Sequence, residues 1–157
     1  MAVKMEHAGW NDDVSRVVND DCVVVCQDAK GKNNLITIGW KSIGILWGKH
    51  VITIAIHPDR YSHQVIEEGV KEFSLNVGGA VDRMLEPCGT WSGREVDKVA
   101  KTGAELVPVK GMKVPIIKGA AAAWSCRIIH AAGSGSITRH TLYFGEIVEV
   151  FKAKGKK

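Results

Sequence analysis

Ser92-Gly93-Arg94-Glu95-Val96-Asp97-Lys98 joins a helix start, two cations and several backbone amides within seven residues. Ser92 followed three residues later by Glu95 has the spacing of a capping box, in which each side chain satisfies an amide at the helix N-terminus. The pattern predicts a helix that runs to about Lys101 and stops at Gly103. Such an N-terminus attracts anions, and Arg94 and Lys98 fall one turn apart on the same side. The competing reading is a capped surface helix whose charges are solvated.

Other chemistries lack their residues. No Gly-x-x-x-x-Gly-Lys-Ser/Thr occurs, and Gly133-Ser134-Gly135 has neither the third glycine nor the strand-to-helix setting of a dinucleotide fingerprint. Gly89-Thr90-Trp91-Ser92-Gly93 is one residue out of register with a serine nucleophile elbow. His57, His63, His130 and His140 have no i, i+4 spacing and no neighbouring cysteine or carboxylate pair, so no metal site is expected. Cys22 and Cys26 lie in one apolar run that reads as a strand. Four strand residues span roughly 13 Å, too far for a disulfide or for two ligands of one metal. Cys88 and Cys126 have no ligand spacing around them, so four thiols are expected.

A chain of 157 residues, 45% hydrophobic and 24% charged, can bury a core without disulfides or metal and is most simply one domain, residues 1–157. The formal charge of +4 is misleading, because Lys152-Ala153-Lys154-Gly155-Lys156-Lys157 carries four lysines by itself. Without them 17 residues of each sign remain, which argues against a nucleic-acid surface and leaves 152–157 as a solvated basic tail. No secretory pattern and no run of 18 apolar residues occurs, so no membrane span is expected and a cytoplasmic protein follows.

The elements that must position these residues are mostly strands. Runs rich in Val, Ile, Thr and aromatics occur at 22–27, 35–40, 51–56, 73–78, 123–131 and 141–151, and Gly31-Lys32-Asn33-Asn34 reads as the turn between the first two. Ser62 suits the cap of a helix whose Ile66, Val70 and Phe73 recur at i, i+4 and i+7. Val81 to Leu85 suits a turn or two of helix before Pro87, and the third helix follows Ser92. Strands that mostly follow one another, with few helices between, predict a β-dominated antiparallel barrel with peripheral helices.

Four segments, in order, resemble the flavin reductase-like family, with the flavoredoxins as the branch most similar. They are Asn34-Leu35-Ile36-Thr37-Ile38-Gly39-Trp40, then Pro58-Asp59-Arg60-Tyr61-Ser62, then Phe73-Ser74-Leu75-Asn76-Val77 together with Ser92 to Lys98, and last His140-Thr141-Leu142-Tyr143-Phe144-Gly145-Glu146-Ile147. The resemblance spans residues 20–151. It implies a split β-barrel of antiparallel Greek-key type that forms a homodimer and binds FMN near the subunit interface, with NAD(P)H as electron donor. Leu46-Trp47-Gly48-Lys49-His50 departs from the family, whose members commonly carry a Pro-Pro pair there.

On that resemblance the cofactor-binding residues are Asn34, Thr37, Trp40, Arg60, Tyr61, Ser62, Ser92, Lys98 and His140, with His140 also the catalytic candidate. Arg60 and Ser62, at a helix start, suit a phosphate because a guanidinium fork and helix amides both favour an anion; a solvated arginine and an ordinary cap compete with this. Lys98 resembles the family's flavin-contacting lysine, against an exposed helix lysine. Asn34 and Thr37 suit polar contacts from the strand lining the ring, against a turn Asn and a β-propensity Thr. Trp40 either packs on the flavin or fills the barrel. His140 either approaches the flavin and nicotinamide or bonds to backbone or water at the start of a strand.

The function implied is an NAD(P)H-dependent flavin reductase or oxidoreductase that moves hydride or electrons through flavin N5. The alternative is a flavoredoxin-like FMN electron carrier or redox adaptor that works with a protein partner. Flavin carries the chemistry in both.

Overall fold

The run from Cys22 to Cys26 has no polar alternation, the pattern of a strand covered on both faces. In the computed structural model, which describes residues 5–154, all five of its side chains are buried. The elements in chain order are β1 (Met5–His7), α1 (Val14–Asn19), β2 (Cys22–Gln27), β3 (Asn33–Ile38), β4 (Lys41–Leu46), β5 (Lys49–Ile56) and α2 (Tyr61–Glu68). There follow β6 (Glu72–Val77), a 3-10 helix (Gly79–Met84), α3 (Leu85–Thr90), α4 (Lys98–Thr102), β7 (Leu106–Val107), β8 (Ile116–Ile117), β9 (Ala122–Gly133) and β10 (Thr141–Ala153).

The main sheet has the order β3-β2-β6-β9-β10-β5-β4, with β1 added against the end of β10; β7 and β8 pair separately. Every pairing is antiparallel. β3 and β4 are adjacent in the chain but stand at opposite ends of this order. The sheet therefore curls into a split β-barrel, and the Trp40 carbonyl, between β3 and β4, accepts the Ala55 amide of β5 at 3.2 Å, one step beyond the Lys41–Ile54 pair of the β4–β5 ladder. Among the described residues β3 pairs with β2 alone, so alternate backbone groups along its other side face the seam between the two ends of the sheet.

Cys22, Val24 and Cys26 turn to the barrel interior with Phe73, Trp124 and Tyr143, while Val23 and Val25 turn outward onto Val81, Met84 and Cys88 of the helical segment. Gly145 sits where β10 shifts register against β9. A Cβ there would meet the Phe73 ring at 2.6 Å, so the bend and the packing both need glycine.

Several expectations are corrected. Asn33 and Asn34 belong to β3, and the turn is closed by the Asp28 carboxylate, which accepts the amides of Lys30 and Lys32 at 2.9 Å each. The helix expected from Ser62 starts at Tyr61 with Arg60 in the cap position, and it ends at Glu68. Gly69 ends it by close approach: a Cβ would lie 2.8 Å from Asp28 Cα. Phe73 consequently leaves the helical face and enters β6.

The turn of helix expected over Val81 to Leu85 forms as the 3-10 helix Gly79–Met84, and α3 follows it with Pro87 in the first turn, where its missing N–H is no loss. The capping box does not form. The Ser92 carbonyl accepts the amides of Glu95 and Val96 at 3.1 and 3.0 Å in a turn, and α4 is capped instead by Asp97, whose carboxylate accepts the Ala100 amide at 3.1 Å. Gly103, at φ 68°, ends α4 as expected. Lys152 and Ala153 are not tail but paired residues of β10; residues 155–157 lie outside the described residues. All four cysteines are buried thiols. Among the described residues no helix is long and apolar enough to cross a membrane.

Candidate functional site

α3 ends with carbonyls that its own turns cannot satisfy, and cations from two other elements fill the gap. Lys98 Nζ, at the first residue of α4, donates to the Cys88 carbonyl at 2.8 Å. Arg60, just before α2, donates to the same carbonyl at 3.4 Å and to that of Gly89 at 3.1 Å. At the other end of α3, Thr37 Oγ1 donates to the Leu85 carbonyl at 2.6 Å, which ties the helix to β3. Among the described residues neither cation is paired with a carboxylate.

Lys98 is 98% hidden from solvent, with 2% of its surface exposed. Burial first, and then the Arg60 charge, lower its pKa from 10.5 to about 8. A buried ammonium with a single protein hydrogen bond, beside a guanidinium and without a counter-charge, is a donor set suited to an anion. The start of α2 adds to it. No side chain caps that N-terminus, and while the His63 amide is taken by the Arg60 carbonyl at 3.0 Å, those of Tyr61 and Ser62 remain available.

A cleft of about 240 Å³ follows the seam of the barrel. It is lined by Thr37 and Trp40 from the β3 side, Ala55 and His57 from the β5 side, Arg60 and His140, and no carboxylate lines it. Trp40 is 60% exposed and lies against His140, with ring centroids 4.5 Å apart and planes at 44°. Thr138 Oγ1 lies 2.7 Å from His140 Nδ1, and this contact orients the ring. The His57 ring stands edge-on to His140 at 5.1 Å. Burial first, and then the His57 charge, push the His140 pKa down and favour a neutral imidazole.

Asn34, Tyr61 and Lys98 line a smaller crevice beside the cleft together with Lys32, Asp28 and Asp97, and Gly93 closes it. Gly93 packs flat on its neighbours, since a Cβ there would lie 2.6 Å from the Tyr61 ring and would also strike Asn34 Oδ1. Asn34 donates to the buried Ser62 hydroxyl at 2.8 Å, and Arg94 covers Tyr61 at 5.4 Å while donating to the Asp59 carbonyl at 3.1 Å.

The sequence candidates thus divide. Thr37, Trp40, Arg60 and His140 share the cleft; Asn34, Tyr61 and Lys98 share the crevice; the Cys88 carbonyl joins the two groups. Ser62 lies one residue inside α2, with its hydroxyl committed to Asn34 rather than to the cap. Ser92 Oγ accepts the Arg94 amide at 3.2 Å within its own turn. His57 and the end of α3 were not among the candidates. His57 carried a usable signal, since it closes a strand immediately before Pro58, whereas a carbonyl that collects cations has no residue type to announce it.

Comparison with known proteins agrees with this architecture. Residues 15–157 match the model of the flavin reductase like domain, and the chain belongs to that family. An uncharacterized protein of Archaeoglobus fulgidus is 32% identical over 121 residues, covering 76% of this chain. The chain spans 65% of the length of that relative.

Among solved structures, the FMN-binding domain of a flavin reductases-like enzyme from Shewanella baltica superposes with a TM-score of 0.80 at 15% identity, over 98% of this chain and 79% of that one. An FMN-binding protein from Thermus thermophilus with bound 1-cyclohex-2-enone gives 0.71 at 25% identity, over 84% and 69%. The flavoredoxin of Desulfovibrio vulgaris (Miyazaki F) gives 0.73 at 23% identity, over 85% and 69%.

Proposed function

We propose that this single-domain chain binds FMN along the seam of the barrel and serves as an NAD(P)H-dependent flavin reductase or oxidoreductase. The observation that carries the reading is the convergence of Arg60 and Lys98 on one carbonyl without a carboxylate, next to the uncapped start of α2. FMN needs positive charge and amides at its phosphate, donors and acceptors along its pyrimidine edge, and a flat surface for its ring. The residues present fit those needs.

Arg60, Lys98 and the Tyr61 and Ser62 amides of α2 hold the phosphate. Thr37, Asn34 and the open edge of β3 supply polar groups, and Tyr61 and Ser62 brace the wall between cleft and crevice. Trp40 offers an indole face, and His140, whose pKa burial holds down, has its Nδ1 against Thr138 Oγ1, leaving Nε2 to exchange a proton or donate a hydrogen bond. When bound, FMN supplies a ring that accepts a hydride or electrons and hands them on. The reading includes a homodimer, because a cleft of about 240 Å³ falls below the ~300–1,000 Å³ of pockets that enclose a ligand, and a second copy would cover its open side.

The test is an absorption titration of the purified full-length chain with FMN, followed by anaerobic addition of NADH or NADPH. A 1:1 flavin complex that bleaches with either nucleotide supports the reading. A complex that bleaches only with dithionite turns it to the electron carrier, and failure to bind FMN overturns it.

A further inference from the structure

His57 follows β5 directly, and its ring lines the cleft beside Arg60 and His140. Its side chain is 30% exposed, so water reaches it. One nitrogen of that ring has two partners at hand, both supplied by Asp59. Nδ1 accepts the Asp59 amide at 3.1 Å, and the Asp59 carboxylate lies 3.7 Å from the same atom. A ring nitrogen that accepts a hydrogen bond carries no proton, so neutral His57 holds its hydrogen on Nε2, the polar atom left for the cleft. Once Nδ1 is protonated it and the amide are both donors, and the carboxylate replaces the amide as partner. Each charge state of His57 thus has its own contact in place.

His140 is built differently. Its Nδ1 meets the Thr138 hydroxyl at 2.7 Å, and among the described residues Asp59 is the one carboxylate within ion-pair reach of either ring. The His57 ring stands edge-on to that of His140, with centroids 5.1 Å apart and planes at 83°. Two imidazolium ions this close repel each other, and Arg60 adds its charge to the same cleft. The other charged groups around the pair are chiefly cations. Arg94 donates to the Asp59 carbonyl, Lys98 lies behind the Cys88 carbonyl that Arg60 also meets, Lys41 donates to the Gly39 carbonyl, and Arg139 precedes His140 in the chain. The Asp21 carboxylate lies by Gly39, and His63 contacts Thr141 through its Nε2.

We propose that His57 is the proton acceptor of the cleft: it takes a proton from solvent onto Nδ1, against Asp59, and while it holds that proton His140 stays neutral. The two rings then carry one positive charge between them, placed on His57. The use of that charge rests on the FMN reading. Electrons delivered to a bound flavin bring negative charge into the cleft, and His57 answers it with a proton while His140 Nε2 remains open to a hydrogen bond.

The test follows the ring nitrogens of both histidines by NMR in the full-length chain between about pH 5 and 8, first without flavin, with His57→Gln and His140→Gln assigning the signals. Neutral His57 is expected as the Nε2–H tautomer, and it should gain its proton at higher pH than His140 does. His57→Gln should raise the proton affinity of His140 by about fourfold or more at low ionic strength, the least that two unit charges at this distance impose through water. Asp59→Asn, at a position 74% exposed, should leave the fold intact and lower the proton affinity of His57. With FMN bound, reduction by dithionite should move the His57 titration to higher pH.

Neutral His57 found with its proton on Nδ1, or two histidines that titrate independently, would overturn the proposal. So would an Asp59→Asn chain in which His57 titrates as in the parent. If FMN fails to bind while the flavin-free titrations come out as stated, the FMN reading falls and the coupled pair stands. If FMN binds and its reduction leaves His57 unmoved, the FMN reading stands and the proton acceptor is not His57.

Discussion

Lys98 and Arg60 reach the Cys88 carbonyl from separate elements, at 2.8 and 3.4 Å, and so bring two positive charges onto one helix end. For the chain alone this is unfavourable, since a buried ammonium lacks water and repels its neighbour. It becomes favourable when an anion arrives. Replacing buried ion pairs by apolar side chains is often neutral or stabilising by about 1–4 kcal/mol, and Lys98 has no carboxylate partner that its removal would strand. Lys98→Met should accordingly raise the denaturation midpoint of the flavin-free chain while weakening FMN by roughly tenfold to a hundredfold. Chemical denaturation and fluorescence titration check the two halves, and a variant less stable than the parent would contradict the first.

The same ammonium sets a pH dependence. Its folded pKa, about 8, lies below the 10.5 of the unfolded chain, so between these values the unfolded state binds more protons and stability gains as pH rises. The penalty is fully present below pH 8 and relieved by pH 10.5. FMN affinity should move the other way, falling above pH 8 as Lys98 loses its charge. Parallel pH series on the parent and Lys98→Met isolate both effects; the variant should lack them.

Arg60→Ala removes donors from two helix-end carbonyls as well as a cation from the cleft. A stability loss of about 1–3 kcal/mol is expected, together with FMN weakening far beyond that of riboflavin, which has no phosphate. Titration with both flavins decides it. Equal weakening of the two would place Arg60 at the ring instead.

The caps give a sharp contrast. Asp97→Ala should cost about 0.5–2 kcal/mol and loosen the segment that carries Lys98, whereas Ser92→Ala should cost less, because Ser92 closes only a turn. Thermal denaturation of the two variants separates them.

Burial pushes the thiols of Cys22 and Cys26 up to about 12 and raises those of Cys88 and Cys126 as well, so none supplies thiolate near neutral pH. Iodoacetamide at pH 8 should label none in the native chain and all four after unfolding. Mass spectrometry of the two samples reads this directly.

The strands were legible because β-branched runs such as Cys22–Cys26 and Thr141–Phe151 carry their signal in composition and burial pattern. β4 escaped: Lys41-Ser42-Ile43-Gly44-Ile45-Leu46 is an exposed edge strand with a glycine in its middle, weak in propensity and specified by pairing with β5. The capping box misled because a local pattern competed with tertiary packing, and the seat of Gly93 on Asn34 and Tyr61 holds the chain in a turn where Ser92 and Glu95 alone would start a helix. Arg60 was legible as a cation at a helix start, and Lys98 as a helix lysine that the family resemblance singled out. Their meeting point was not, because it is a backbone carbonyl contributed by a third element.

The place of β10 in the sheet has a consequence for synthesis. β4 and β5 form a hairpin early in the chain, yet this pair joins the rest of the sheet only through β10, which is made last of the strands. Val51, Ile52 and Ile54 must therefore wait for Tyr143 and Phe144 while some 85 residues are translated, roughly 4 to 17 s at ordinary elongation rates. Through that interval the nascent protein presents a strand edge and an apolar face together. A ribosome stalled between β5 and β10 would leave a chain primed to aggregate, and it is in that window that a chaperone has most to protect.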